Sequence, residues 1–178
     1  MSESSLTSTS TNGFTLLGKD IWGRTCSPMR HVTFWVYLLL GVVLCSGLGV
    51  WFEVIRYAYG TNEAKPDAIL VALLTFFPAL VGSSSLQMVF GSEAKGLRAF
   101  ALLLVVVFAL AASWLAFGRP TDFSVAMRWA LFFSVVAIWI WWIANGADPS
   151  FRDTVPVNAP IGGDPSVPLS GSLDGFKH

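Results

Sequence analysis

From Ala68 to Ser92 the chain runs 25 residues without a charge, more than the ~20 a helix needs to cross the hydrocarbon core of a bilayer. Three further runs accompany it: Val32 to Phe52 with 21 residues, Ala99 to Gly118 with 20 and Trp129 to Ala147 with 19. A water-soluble helix needs only one apolar face, so four uncharged runs of this length point to lipid rather than to a soluble core. Composition agrees: 12% of the 178 residues are charged, about half the usual share for a soluble domain. The reading is an all-α integral membrane protein with four transmembrane helices over about 30–57, 68–91, 97–117 and 122–144. They form one domain, 28–146, between a polar N-terminal arm (1–27) and a Pro/Gly-rich C-terminal tail (147–178), both tails disordered or extended.

The second run carries the most irregular chemistry. Pro78 cannot donate to the carbonyl of Leu74, so a bend is expected near the helix midpoint. At 100° per residue, Thr75, Pro78, Gly82 and Ser85 fall within about 80° of one another, giving a narrow small and hydroxylated face for close helix packing or, alternatively, a pore lining. This helix is expected inside the bundle. Ser83, Ser84 and Ser85 with Gln87 could line a polar path, or bond back to carbonyls of the preceding turn.

Residues 1–12 are Ser/Thr-rich and are read as disordered. Phe14, Leu17, Ile21 and Trp22 make a short apolar stripe that fits an interfacial helix or an irregular arm. Ser27-Pro28 signals the start of helix one, with Ser as N-cap and Pro at the first helical position. Along that helix Gly41, Cys45 and Gly49 recur every four residues as a packing ridge, and Glu53 and Arg56 are placed to form an interfacial ion pair. Helix three, almost purely apolar from Leu102 to Leu110, is the expected lipid-facing member. Thr121 is the expected cap of helix four, whose Ala126, Ala130, Ser134 and Ala137 make another small-residue face. Four crossings put Trp35 with Trp139 and Trp142 on one side, and Trp51, Trp114 and Trp129 on the other. Lys19, Arg24, Arg30, Lys95, Arg98 and Arg152 then lie on the side of the termini against Arg56, Lys65, Arg119 and Arg128, which favours both termini in the cytoplasm, the membrane being read as a bacterial inner membrane.

Little in the sequence speaks for catalysis. His31 and His178 both lie outside the spans, no Asp lies inside one, and there is no Walker motif, dinucleotide fingerprint or metal-ligand spacing. Neither a cofactor nor a metal is expected, zero net charge gives no reason for nucleic acid, and Cys26 and Cys45 are expected to stay unpaired.

The tail mixes apolar residues with Pro and Gly. Phe151, Val155, Val157, Ile161, Leu169 and Phe176 are the expected docking anchors for a soluble protein partner. Together these features describe a non-catalytic polytopic subunit, a homo-oligomer or part of a hetero-complex, that anchors or senses at the membrane and engages its partner through the tail. Small four-helix membrane subunits of this architecture occur in bacterial stress and phage-defence systems; the likeness is one of architecture, with no motif behind it. Two alternatives compete: an oligomeric pore or small-solute channel around the Thr75/Pro78/Gly82/Ser85 face, and a constitutive assembly subunit of a larger membrane complex.

Overall fold

The computed structural model describes residues 12–60, 65–91, 94–118, 122–151 and 153, and every regular element among them is helical. In order these are α1 (Gly13–Cys26), a 3-10 turn (Ser27–Arg30), α2 (Val32–Val36), a π-helical stretch (Tyr37–Ser46), α3 (Leu48–Ala58), α4 (Pro66–Gly91), α5 (Lys95–Phe117), α6 (Phe123–Asn145) and a closing 3-10 turn (Pro149–Phe151). Helices α4, α5 and α6 are each long and apolar enough to cross a membrane; a fourth span is counted if the bent pair Gly13–Arg30 and Val32–Ser46, at 97° to one another, is taken as one.

Helix α4 is central, packing against α3, α5 and α6. Its Leu73, Phe77, Leu80, Val81 and Met88 are buried. Phe77 anchors an aromatic layer, 6.0 Å from Phe108 of α5 and 5.6 Å from Phe133 of α6, which are themselves 5.7 Å apart. Such pairs add about 0.5–1.5 kcal/mol each beyond the area they bury. The direction of each helix follows from its contacts. Gln87 near the end of α4 meets Asn145 at the end of α6, so these two run parallel, while Phe34 and Trp35 at the start of α2 meet Trp142. Helix α5 leans mainly on α4 and leaves Leu102, Leu103, Val106 and Leu110 exposed.

Between α2 and α3 the chain departs from a plain helix. Ten residues follow the wider π pattern, a conformation that normally appears as a single turn and often at functional sites. Ser46 Oγ donates to the carbonyl of Gly41 at 3.0 Å. The stretch ends at Gly47, where a Cβ would lie 2.3 Å from the carbonyl oxygen of Val43, and the Trp51 indole N–H donates to that same oxygen at 2.8 Å. A glycine is therefore needed at the break, and an indole satisfies the carbonyl it leaves.

Helix α1 lies across one end of the bundle, with Leu17 and Ile21 packed on the core and Phe14 and Trp22 exposed. It is tied down at its C-terminal end. The Trp142 indole donates to Thr25 O at 3.0 Å, and Gly146 admits the backbone of Arg24 so closely that a Cβ there would sit 2.2 Å from the Arg24 oxygen.

Two expected helix starts differ. Ser27-Pro28 opens the 3-10 turn rather than helix one, because His31 then adopts an extended conformation (φ −105°, ψ 118°) and the helix begins anew at Val32. The N-cap of α6 is Asp122, without a side-chain capping bond; Thr121 lies outside the described residues. Outside them too fall the Ser/Thr-rich segment up to residue 11, Ser92 and Glu93 of the α4–α5 hairpin, and the tail from residue 154 with its anchors Val155, Val157, Ile161, Leu169 and Phe176.

Candidate functional site

The face of α4 formed by Thr75, Pro78, Gly82 and Ser85 is not one surface. Thr75 is exposed, on a groove between α3 and α4 that it shares with Ser46, Gly49, Ala79 and Ser83 and that encloses about 310 Å³. Ser85 is instead turned into the core, 2% exposed, and its Oγ has no partner among the described residues. Pro78 and Gly82 lie half-buried between them, and a Cβ on Gly82 would meet nothing within 4 Å. Within one subunit the ~80° face thus straddles the edge of the core, Thr75 outside and Ser85 inside. The groove carries hydroxyls but no ionisable side chain in its lining. Each hydroxyl donates to its own backbone: Thr75 to Ala72 O at 2.9 Å, Ser83 to Leu80 O at 3.0 Å.

The other small-residue faces separate cleanly. Ala126, Ala130, Ser134 and Ala137 of α6 are all buried, Ser134 donating to Ala130 O at 2.8 Å. Gly41, Cys45 and Gly49 are exposed, and a Cβ on either glycine would meet nothing within 4 Å. That ridge therefore lies on the outside of the subunit, with Gly49 also bordering the groove beside α4. At the far end of α3, Arg56 Nη1 donates to Glu53 Oε1 at 3.3 Å.

The densest polar and aromatic constellation lies where the segment just after α6 returns to α2. No side chain of its own caps α2. Asp153 does so from across the sequence: its carboxylate accepts from Val32 N at 2.5 Å and Thr33 N at 3.1 Å, and also from the Thr33 hydroxyl. These are the orphan donors of a helix start, and the anion sits at the positive end of the helix dipole. Asp153 N in turn donates to His31 Nδ1 at 3.3 Å. The Thr33 hydroxyl bond lowers the Asp153 carboxyl most; desolvation opposes it, and the backbone donors of Thr33 and Val32 and the nearby His31 add to the lowering, so the carboxyl titrates below its ordinary value.

Two residues earlier, Phe151 enters a ring of aromatics. It lies 6.0 Å from Phe34, 5.0 Å from Tyr37 and 6.2 Å from Trp141. Phe151 thus packs, half-buried, against the aromatic residues of α2 and α6. Trp142 is likewise drawn in, with its ring 4.8 Å from Phe34 and 5.1 Å from Trp35.

Sequence reasoning missed Asp153 and Asn145. Asn145 is buried, its amide donating to Gln87 Oε1 at 3.0 Å and Trp141 O at 2.9 Å. Its only signal was a carboxamide near the end of an apolar run, where a polar side chain must find a partner if packing covers it. Among the described residues no group of three or more His, Cys, Asp or Glu could hold a metal, and both cysteines are free and exposed. The chain matches no protein-family model, no curated protein and no solved structure.

Proposed function

We propose that this is a non-catalytic, polytopic membrane subunit that crosses the bilayer four times, the first crossing running from α2 through the π-helical stretch to α3. In this reading the subunit couples the packing of that first span to a C-terminal tail that engages a soluble partner. The observation that carries it is the latch: Asp153 caps α2 and Phe151 packs against Phe34, Tyr37 and Trp141, so the chain beyond α6 is attached at the start of the least regular span. Any event that favours a different packing of α2 acts on the tail's attachment, and by linkage a partner that pulls on the tail acts on α2.

Both termini lie on one face of such a bundle, and the excess of Lys and Arg on that side makes it the cytoplasmic one. Copies associate through the outward ridge of Gly41, Cys45 and Gly49, where small residues let backbones approach. The test is a pull-down in mild detergent comparing the full chain with one stopped after Asp153, which keeps the latch intact. A stoichiometric soluble protein held only by the full chain is the expected result. Equal recovery of that protein by the shortened chain would remove the tail from the account.

A further inference from the structure

At the end of the bundle beside α1 lies a second cavity of about 650 Å³, lined among others by Arg24 of α1, Gln87 and Phe90 of α4, Asn145 of α6 and Asp148 of the turn that follows. Arg24 and Asp148 face this cleft without pairing with each other, and neither forms an ion pair with any other described residue. The cleft also sits where α4 and α6 both end, so the negative ends of two helix dipoles converge on it, and the last carbonyls of α4 have no partner within their own helix. It therefore offers a guanidinium to an anion, and a carboxylate with backbone carbonyls to a cation that can donate hydrogen bonds. Leu86 and Phe90, 59% and 81% exposed, extend the lining as an apolar rim.

We propose that this cleft holds the headgroup of an amine-bearing zwitterionic phospholipid. Its phosphodiester lies against Arg24, its primary ammonium against Asp148 and the carbonyls ending α4, and its acyl chains run along Leu86 and Phe90. A purely anionic headgroup meets the same arginine but also the unbalanced dipole ends. A choline headgroup cannot donate N–H bonds to the carbonyls. The inference rests on membrane integration and not on the tail's partner.

The test uses the purified full chain in mild detergent with equal, limiting amounts of dioleoyl phosphatidylethanolamine, phosphatidylcholine and phosphatidylglycerol, bound lipid being counted by native mass spectrometry. Phosphatidylethanolamine is expected to be retained about fivefold over either competitor, the factor one well-placed charge contact gives at a membrane surface. Arg24→Gln removes that retention and Arg24→Lys restores most of it. Asp148→Asn, which keeps an oxygen for the Ser150 N–H it now accepts at 2.8 Å, abolishes the preference over phosphatidylglycerol while lipid still binds. Equal retention of the three lipids by the unmodified chain overturns the proposal, as does loss in Arg24→Lys equal to that in Arg24→Gln when both melt like the parent. If soluble glycerophosphoethanolamine displaces the lipid at equal concentration, the cleft belongs to a soluble amino-phosphate and the lipid assignment falls. A chain that fails to enter the membrane fraction at all contradicts membrane integration itself, an outcome distinct from unselective lipid binding.

Discussion

Asp153 bonds Thr33 twice, accepting its backbone N–H at 3.1 Å and its hydroxyl as well, across 120 residues of sequence. A helix that lacks a local cap thereby borrows one from the segment that follows α6. The carboxyl group titrates below its ordinary range because these bonds favour the charged form. Its contribution is therefore fully present above the pKa of an unfolded aspartate, and is lost as pH falls through the lowered folded value. The latch should be fully held at neutral pH, weaken as pH falls below the unfolded aspartate value and lose the carboxylate's contribution below the lowered folded value, while Asp153→Asn should be looser at neutral pH. Proteolysis between Asn145 and Asp153, followed against pH in both forms, checks this.

Removing the Phe151 ring takes away three aromatic contacts in one step. Phe151→Ala should cost about 2 kcal/mol, less than a fully buried phenylalanine because the site is half-buried. Denaturant unfolding of the purified chain, read by tryptophan fluorescence, measures it; Trp141 lies 6.2 Å from Phe151 and should report the change.

Glycines differ sharply in what they can accept. Gly146→Ala sets a Cβ 2.2 Å from the Arg24 oxygen and must push α1 off α6, whereas Gly41→Ala meets open space. Overpacking of this kind costs about 1–3 kcal/mol. The first variant should lower the melting temperature in detergent and make Cys26 quicker to react with a thiol reagent; the second should do neither.

Asn145 joins α4 to α6 through a buried carboxamide. Asn145→Leu should cost about 1–3 kcal/mol by leaving Gln87 and the Trp141 carbonyl without their donor. Ser134→Ala removes only a bond to its own helix and should stay within ~1 kcal/mol, since such back-bonding supports a helix little. Paired unfolding curves decide between the two expectations.

The outward ridge makes its own prediction. If copies meet at Gly41, Cys45 and Gly49, mild oxidation of a Cys26→Ser variant in membranes should cross-link Cys45 to Cys45 of a second copy, and Gly49→Leu should abolish the product. Absence of the cross-link under conditions that oxidise the thiol would place any association elsewhere.

The apolar helices were legible because the absence of charge over some twenty residues is a one-dimensional property that needs no partner to interpret. The central place of α4 could also be read, from Pro78, Gly82 and the serines, residues that suit a protein neighbour better than lipid. Its inner face could not. Leu73, Phe77, Val81 and Met88 are buried while Val71, Leu86 and Phe90 are exposed, yet all are equally apolar, so periodicity carries no contrast between lipid and core. The pair Asp153 and Thr33 was hidden for another reason: the local start signal at Ser27-Pro28 pointed to a helix beginning that His31 interrupts, and nothing in spacing links a tail aspartate to a helix so far upstream. The π-helical stretch from Tyr37 to Ser46 has no sequence signature beyond Gly41 within it and Gly47 just after it.

Coupling between the first span and the tail is tested most directly by amide exchange of the Val32–Val36 segment, with the full chain in nanodiscs of short-chain and then long-chain lipid. A change in bilayer thickness of several ångströms supplies enough mismatch energy to alter exchange at a two-state latch by about tenfold. The predicted result is a tenfold difference at Val32 and Thr33 between the two bilayers, abolished in Phe151→Ala, where the latch is already loose, with α4 and α6 unchanged throughout. Identical exchange at Val32 and Thr33 in both bilayers would contradict the account, leaving the latch a static clasp.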